Sequence, residues 1–124
     1  MDRSNHYEAA FEAYLRDARL PYVAVDEPQG FKSSVPPVVI ETSPDLAVFR
    51  FHGRNVENWE KQNIPPSERF RYLYDEDELA DWTSQIRSVA RRTKQTHVVM
   101  NNCYSNYGTS NAREVARLIA EYPA

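Results

Sequence analysis

The chain has 124 residues, 41% of them hydrophobic and 27% charged. That is enough for one small globular domain and too short for two. The net charge of -3 gives no electrostatic reason to expect nucleic acid or an anionic membrane as a partner. No apolar run approaches the ~20 residues of a membrane span, and Met1 to His6 lack the apolar core of a signal peptide. Cys103 is the only cysteine, so no internal disulfide can form, and a reducing cytoplasm is the expected setting.

The first periodic stretch, residues 5–18, predicts an amphipathic helix. Tyr7, Ala10, Phe11, Tyr14, Leu15 and Ala18 recur at the spacing of one buried stripe. Asn5 with Glu8 offers an N-cap, and Pro21 forbids continuation. Tyr22-Val-Ala-Val-Asp26 then predicts a short buried strand, closed by Asp26, Glu27 and Pro28. Residues 29–46 form a proline-rich connection, with a short extended piece expected at 38–40.

Residues 47–52 alternate cleanly. Ala47, Phe49 and Phe51 share one strand face, and Val48, Arg50 and His52 share the other. Gly53, Arg54 and Asn55 turn the chain into a second long connection, 53–74, which carries Trp59, Phe70, Tyr72 and Tyr74. Loops of this length are uncommon unless functional or disordered, and its aromatic content argues against disorder.

Asp75 and Glu78 predict a capped helix start, and Leu79, Trp82, Ile86 and Val89 the buried stripe of a helix over 75–92, read as core and nothing more. A strand at 97–101 ends in Asn101 and Asn102. A last helix is expected from 110 or 111 to 122, with Ala112, Val115, Ala116 and Ile119 inward. Helices alternating with strands predict an α/β fold with a parallel sheet.

Each strand ends in chemistry-bearing side chains: Asp26 and Glu27, then Arg50 and His52, then Asn101 and Asn102. In parallel α/β folds ligands bind at the carboxyl ends of the strands. An arginine in mid-strand between apolar neighbours must be paired or must face a polar cavity. His52 suits proton transfer, since an unperturbed imidazole has a pKa of ~6.5. The three histidines lack zinc-ligand spacing, so no metal is expected. Cys103 reads as a small loop filler.

Taken together, Arg50-Phe-His-Gly-Arg-Asn55, Tyr72-Leu-Tyr74, Glu78-Leu79 with Trp82, Asn101-Asn102 and Gly108 with Asn111-Ala112 resemble the YecE-like family, domain of unknown function 72. Asp26-Glu-Pro28 fits the same pattern. The resemblance spans most of the chain from Tyr22 onward. It implies a TIM-barrel-like fold without an established reaction, and it matches these three strands to the last three of eight. The chain thus reads as a single partial domain, the carboxyl-terminal portion of an incomplete barrel.

On that reading the expected function is that of a relative of small-molecule enzymes acting on an anionic or phosphorylated ligand. Arg50 and Arg54 would bind the anion, His52 would serve as general acid or base, and Asp26 would orient or deprotonate. Asn55, Tyr72, Asn101 and Asn102 would contact substrate. Gly108 and the helix start at Asn111 would approach a phosphate. The competing reading is a non-catalytic binding or assembly module, or an inactive truncated fragment. Self-association, or a complementing N-terminal half, is the expected protein partner. Neither cofactor nor reaction is readable.

Overall fold

The computed structural model describes residues 3–121, with side chains from residue 9. In chain order the elements are α1 (Arg3–Asp17), β1 (Val23–Asp26), β2 (Leu46–Phe51), α2 (Pro66–Arg69), α3 (Glu76–Ala90), β3 (Gln95–Met100) and α4 (Tyr107–Glu121). The strands form one sheet in the order β1-β2-β3, and both pairings are parallel. The predicted α/β class and parallel strands are therefore observed, with β3 beginning two residues earlier than periodicity suggested. The extended piece expected at 38–40 forms no strand. No helix among the described residues is long and apolar enough to cross a membrane.

One face of the sheet is covered. Ala24, Phe49 and Phe51 meet Leu79, Trp82, Ile86 and Val89 of α3 and Val115 and Leu118 of α4. Phe49 and Phe51 stand edge-on to Trp82, with ring centroids 6.0 and 5.4 Å away, and Phe51 stands edge-on to Tyr74 at 5.6 Å. Such arrangements suit the ring quadrupoles and add to the burial of apolar area. The α3 stripe is the predicted one, and the Asp75–Glu78 capping box forms in both directions. Glu78 N–H donates to the Asp75 carboxylate at 2.8 Å, and Asp75 N–H to that of Glu78 at 3.0 Å.

Two helix faces differ from expectation. On α4 the buried residues are Asn111, Val115 and Leu118, while Ala112 and Ala116 are exposed. The stripe is anchored by the polar Asn111, which apolar periodicity cannot count. On α1 the helix begins at Arg3, so Asn5 lies inside it and not at its cap. Of its expected stripe only Leu15 is buried, with Phe11 54% and Tyr14 63% exposed; the Tyr7 side chain lies outside the described residues. The reason is positional: α3 and α4 already occupy the sheet's covered face, and among the described residues α1 packs on no other helix or strand.

The opposite face carries Val23, Val25, Val48, Arg50, His97 and Val99 by strand alternation, and among the described residues no helix or strand packs on it. Arg50 and His97 are exposed and Val99 is 38% exposed. β1 and β3 each pair on one side only.

Candidate functional site

Parallel register sorts the predicted residues into two groups. His52 N–H donates to Asp26 O at 2.8 Å, and Asn101 N–H to Phe51 O at 2.8 Å. The ladder thus runs one step past each strand, aligning Glu27, His52 and Asn101 in one row of the open face. The row below is Val25, Arg50, Val99. Asp26 belongs to the other row, with Phe51 and Met100.

Arg50, His52 and Asn101 meet. One corner of the Asn101 amide lies 3.2 Å from Arg50 Nε and 2.7 Å from Nη2, and 3.4 Å from His52 Nδ1. Two guanidinium donors require an acceptor, so that corner is the oxygen Oδ1. The same oxygen favours the tautomer with hydrogen on Nδ1, which leaves the Nε2 lone pair available. The His52 ring stacks on Phe70, with centroids 5.6 Å apart, and lies beside Trp59 at 6.4 Å. Burial, and then the Arg50 charge, lowers the His52 pKa, against a smaller opposing pull from Asp26. A neutral imidazole at pH 7 is the result.

Asp26 lies on the covered side, and both its oxygens are saturated. Oδ1 accepts from Arg54 Nη2 at 2.9 Å and from Trp82 Nε1 at 3.0 Å; Oδ2 accepts from Arg54 Nε at 2.9 Å and from Tyr74 OH at 2.6 Å. Arg54 also donates to Glu78 Oε2 at 3.0 Å, which in turn accepts from Tyr72 OH at 2.6 Å. The Arg54 pKa is raised, chiefly by its bond to Asp26. Burial and then the Glu78 hydrogen bond push the Tyr72 phenol up to about 12. Burial and then Asp26 raise that of Tyr74 as well. In this arrangement Asp26 has no free oxygen for a substrate, and Arg54 is committed to two carboxylates. Trp82, expected to be core alone, also supplies a hydrogen bond.

The remaining candidates hold backbone. Asn55 Nδ2 donates to Arg71 O at 2.8 Å, and its oxygen accepts from Asn58 N at 3.0 Å. Asn102 Nδ2 donates to Tyr72 O and to Asn111 Oδ1, both at 2.8 Å. Asn111 brackets Tyr74, accepting from its N–H and donating to its carbonyl, each at 3.0 Å. A Cβ on Gly108 would meet Asn102 O, Met100 O and Asn102 Oδ1 at 3.5–3.7 Å. Those neighbours are acceptors, which repel an anion. Gly53 has φ +93°, and a Cβ there would sit 2.9 Å from Tyr72 Cβ, so only glycine fits. Its N–H donates to Tyr74 OH at 2.8 Å.

Glu27 is the site-facing residue that the strand endings brought into view without singling it out. Two adjacent acids on a strand must point to opposite faces, and an unalternating run does not show which points where. Among the described residues no group of three or more His, Cys, Asp or Glu side chains is placed to hold a metal.

The family model described as protein of unknown function DUF72 matches residues 3–124. The chain is 31% identical over 97 residues to the UPF0759 protein YunF of Bacillus subtilis, covering 76% of this chain and 34% of that protein. A DUF72 family protein from Thermotoga maritima superposes with a TM-score of 0.80 at 35% identity, over 90% of this chain and 41% of that one. One from Enterococcus faecalis gives 0.83 at 26% identity, over 96% and 44%. The chain thus spans less than half the length of these relatives. It belongs to the DUF72 family.

Proposed function

We propose that this chain supplies one wall of a site for a small anionic ligand, at the carboxyl ends of parallel strands in a TIM-barrel-like fold. Arg50 is the charge that binds the anion, Asn101 holds the guanidinium and imidazole together, and His52 offers Nε2 as proton acceptor or, once loaded, donor. The observation that carries this reading is the state of Arg50. It stands exposed between Val25 and Val99, and its only polar partner among the described residues is the neutral Asn101. The twin strand-end arginine, Arg54, is by contrast locked between Asp26 and Glu78. A free guanidinium over apolar walls is suited to phosphate or carboxylate, which it grips bidentately.

The test is titration of the chain with inorganic phosphate, followed by calorimetry and amide shifts. Saturable binding that vanishes in Arg50→Ala is expected. Binding undiminished in that variant refutes the reading. The acidic chain and its lone cysteine favour a cytoplasmic setting for such a reaction.

A second reading, an assembly module, is favoured by one observation. Among the described residues no helix or strand packs on the face bearing Val25, Val48 and Val99, and β1 and β3 are unpaired along their outer sides. Such edges template pairing with another chain. A complementing half of the family's fold, or a second copy, would satisfy them. The two readings are compatible if that partner closes the opposite wall of the site.

A further inference from the structure

Glu27 is the one carboxylate of the open-face rows. It is only 6% exposed. Its Oε1 accepts from Val35 N at 2.6 Å, and no cation pairs with it among the described residues. Its second oxygen, Oε2, makes no hydrogen bond there, and unlike Asn102 Oδ1 it is not sealed from solvent. A charge buried to this degree is costly unless its hydrogen-bonding shell is completed.

The local chain holds Glu27 in place. Ser34 Oγ donates to Pro28 O at 2.7 Å, Gln29 Nε2 bridges Glu27 O and Val35 O at 3.1 and 3.0 Å, and Trp59 Nε1 donates to Ser33 Oγ at 3.1 Å. The segment that shields the carboxylate is thereby tied to the aromatic wall beside His52.

Register puts Glu27 one strand over from His52 and one row above Arg50. Neighbouring strands are about 4.8 Å apart and alternate residues about 6.6 Å apart along a strand. The backbone positions of Glu27 and Arg50 are then about 8 Å apart on the diagonal, and both side chains are long. Negative and positive groups at that separation match a ligand a few bonds long with opposite charges at its ends.

We infer that the ligand is zwitterionic: its acidic group binds Arg50 and an ammonium, or a similarly strong donor, binds Glu27 Oε2. This rests on the anion site proposed above and adds the substrate class. The experiment compares three probes on the full 124-residue chain: inorganic phosphate, ethyl phosphate and O-phosphoethanolamine, the last two differing in the ammonium group. A charge-assisted hydrogen bond to a shielded carboxylate predicts that phosphoethanolamine binds on the order of tenfold more tightly than ethyl phosphate. In Glu27→Gln, whose amide oxygen still accepts from Val35 N, that preference should disappear while phosphate binding persists.

Equal binding of ethyl phosphate and phosphoethanolamine overturns the inference and leaves the anion site standing. So does a preference that survives Glu27→Gln. Failure of all three probes to bind overturns the anion site, and the inference with it. The comparison in the unsubstituted chain decides the matter even if Glu27→Gln fails to fold.

Discussion

The substitution Asp26→Asn separates scaffold from chemistry most sharply. The Asp26 side chain is 5% exposed and takes four donors, two on each oxygen. An asparagine of the same shape keeps one acceptor. Whichever way its amide turns, its NH2 faces either Arg54 Nη2 with Trp82 Nε1, or Arg54 Nε with Tyr74 OH. The Arg54 charge also loses its nearest carboxylate. Removing one partner of a buried ion pair costs about 3–5 kcal/mol, and Arg54 is 36% exposed, so the low end, about 3 kcal/mol, applies here. With a urea slope of roughly 1.5 kcal/mol/M, the unfolding midpoint falls by about 2 M. Urea titration followed by circular dichroism measures it, with Arg50→Ala as the control, expected within about 0.5 kcal/mol of the unsubstituted chain. An unmoved midpoint in Asp26→Asn, together with lost phosphate binding, would show that Asp26 serves the ligand and not the fold.

Gly53→Ala forces a methyl into a φ +93° turn against Tyr72 Cβ and should destabilise by about 1–3 kcal/mol, read from the same titration; an unchanged midpoint contradicts the assigned turn. The His52 ring should titrate by NMR below the ordinary ~6.5, and closer to it in Arg50→Gln, because burial and the guanidinium both disfavour the imidazolium. The sign for stability follows. Above ~6.5 the imidazole is neutral in both states, and as pH falls the unfolded chain takes up the proton first. Stability contributed by His52 is therefore lost on acidification, over a window opening near pH 6.5 and ending at the lower folded value. His52→Gln should flatten that slope, and an unflattened slope rules out His52 as its source. Sedimentation equilibrium should show self-association through the open sheet, whereas a stable monomer at high concentration would remove the assembly reading.

Much of the fold was legible because its signals are local. The α3 stripe and its capping box need only residues three and four apart, and the alternation Phe49-Arg50-Phe51-His52 states its own parity. The site was legible where parity was. Arg50 and His52 face the open side as their strand predicts, but Tyr22 to Val25 is apolar throughout, so the facing of Asp26 against Glu27 could not be read. Parity also stops at Gly53: a left-handed turn redirects the chain, and Arg54 returns over the helix side. The partnership of Asn102 with Asn111 and the 72–74 backbone joins residues 9 to 37 positions apart, which no periodicity encodes. The α1 face misled for the opposite reason. Its spacing describes a stripe correctly and says nothing of what lies beneath it.

The convergence of four segments on a single carboxylate has a dynamic consequence. Strand β1, the turn at Arg54, the strap at Tyr74 and helix α3 cannot part from one another without stranding at least one charge or buried donor. A long surface connection would ordinarily breathe on its own, its amides exchanging through small local openings. Here the Gly53 amide, bonded to Tyr74 OH, should exchange with deuterium at a rate approaching that of central strand β2, as part of the same cooperative unit. The outward-facing amides of β1 and β3 should exchange orders of magnitude sooner. The least regular part of the chain would then be among the last to open.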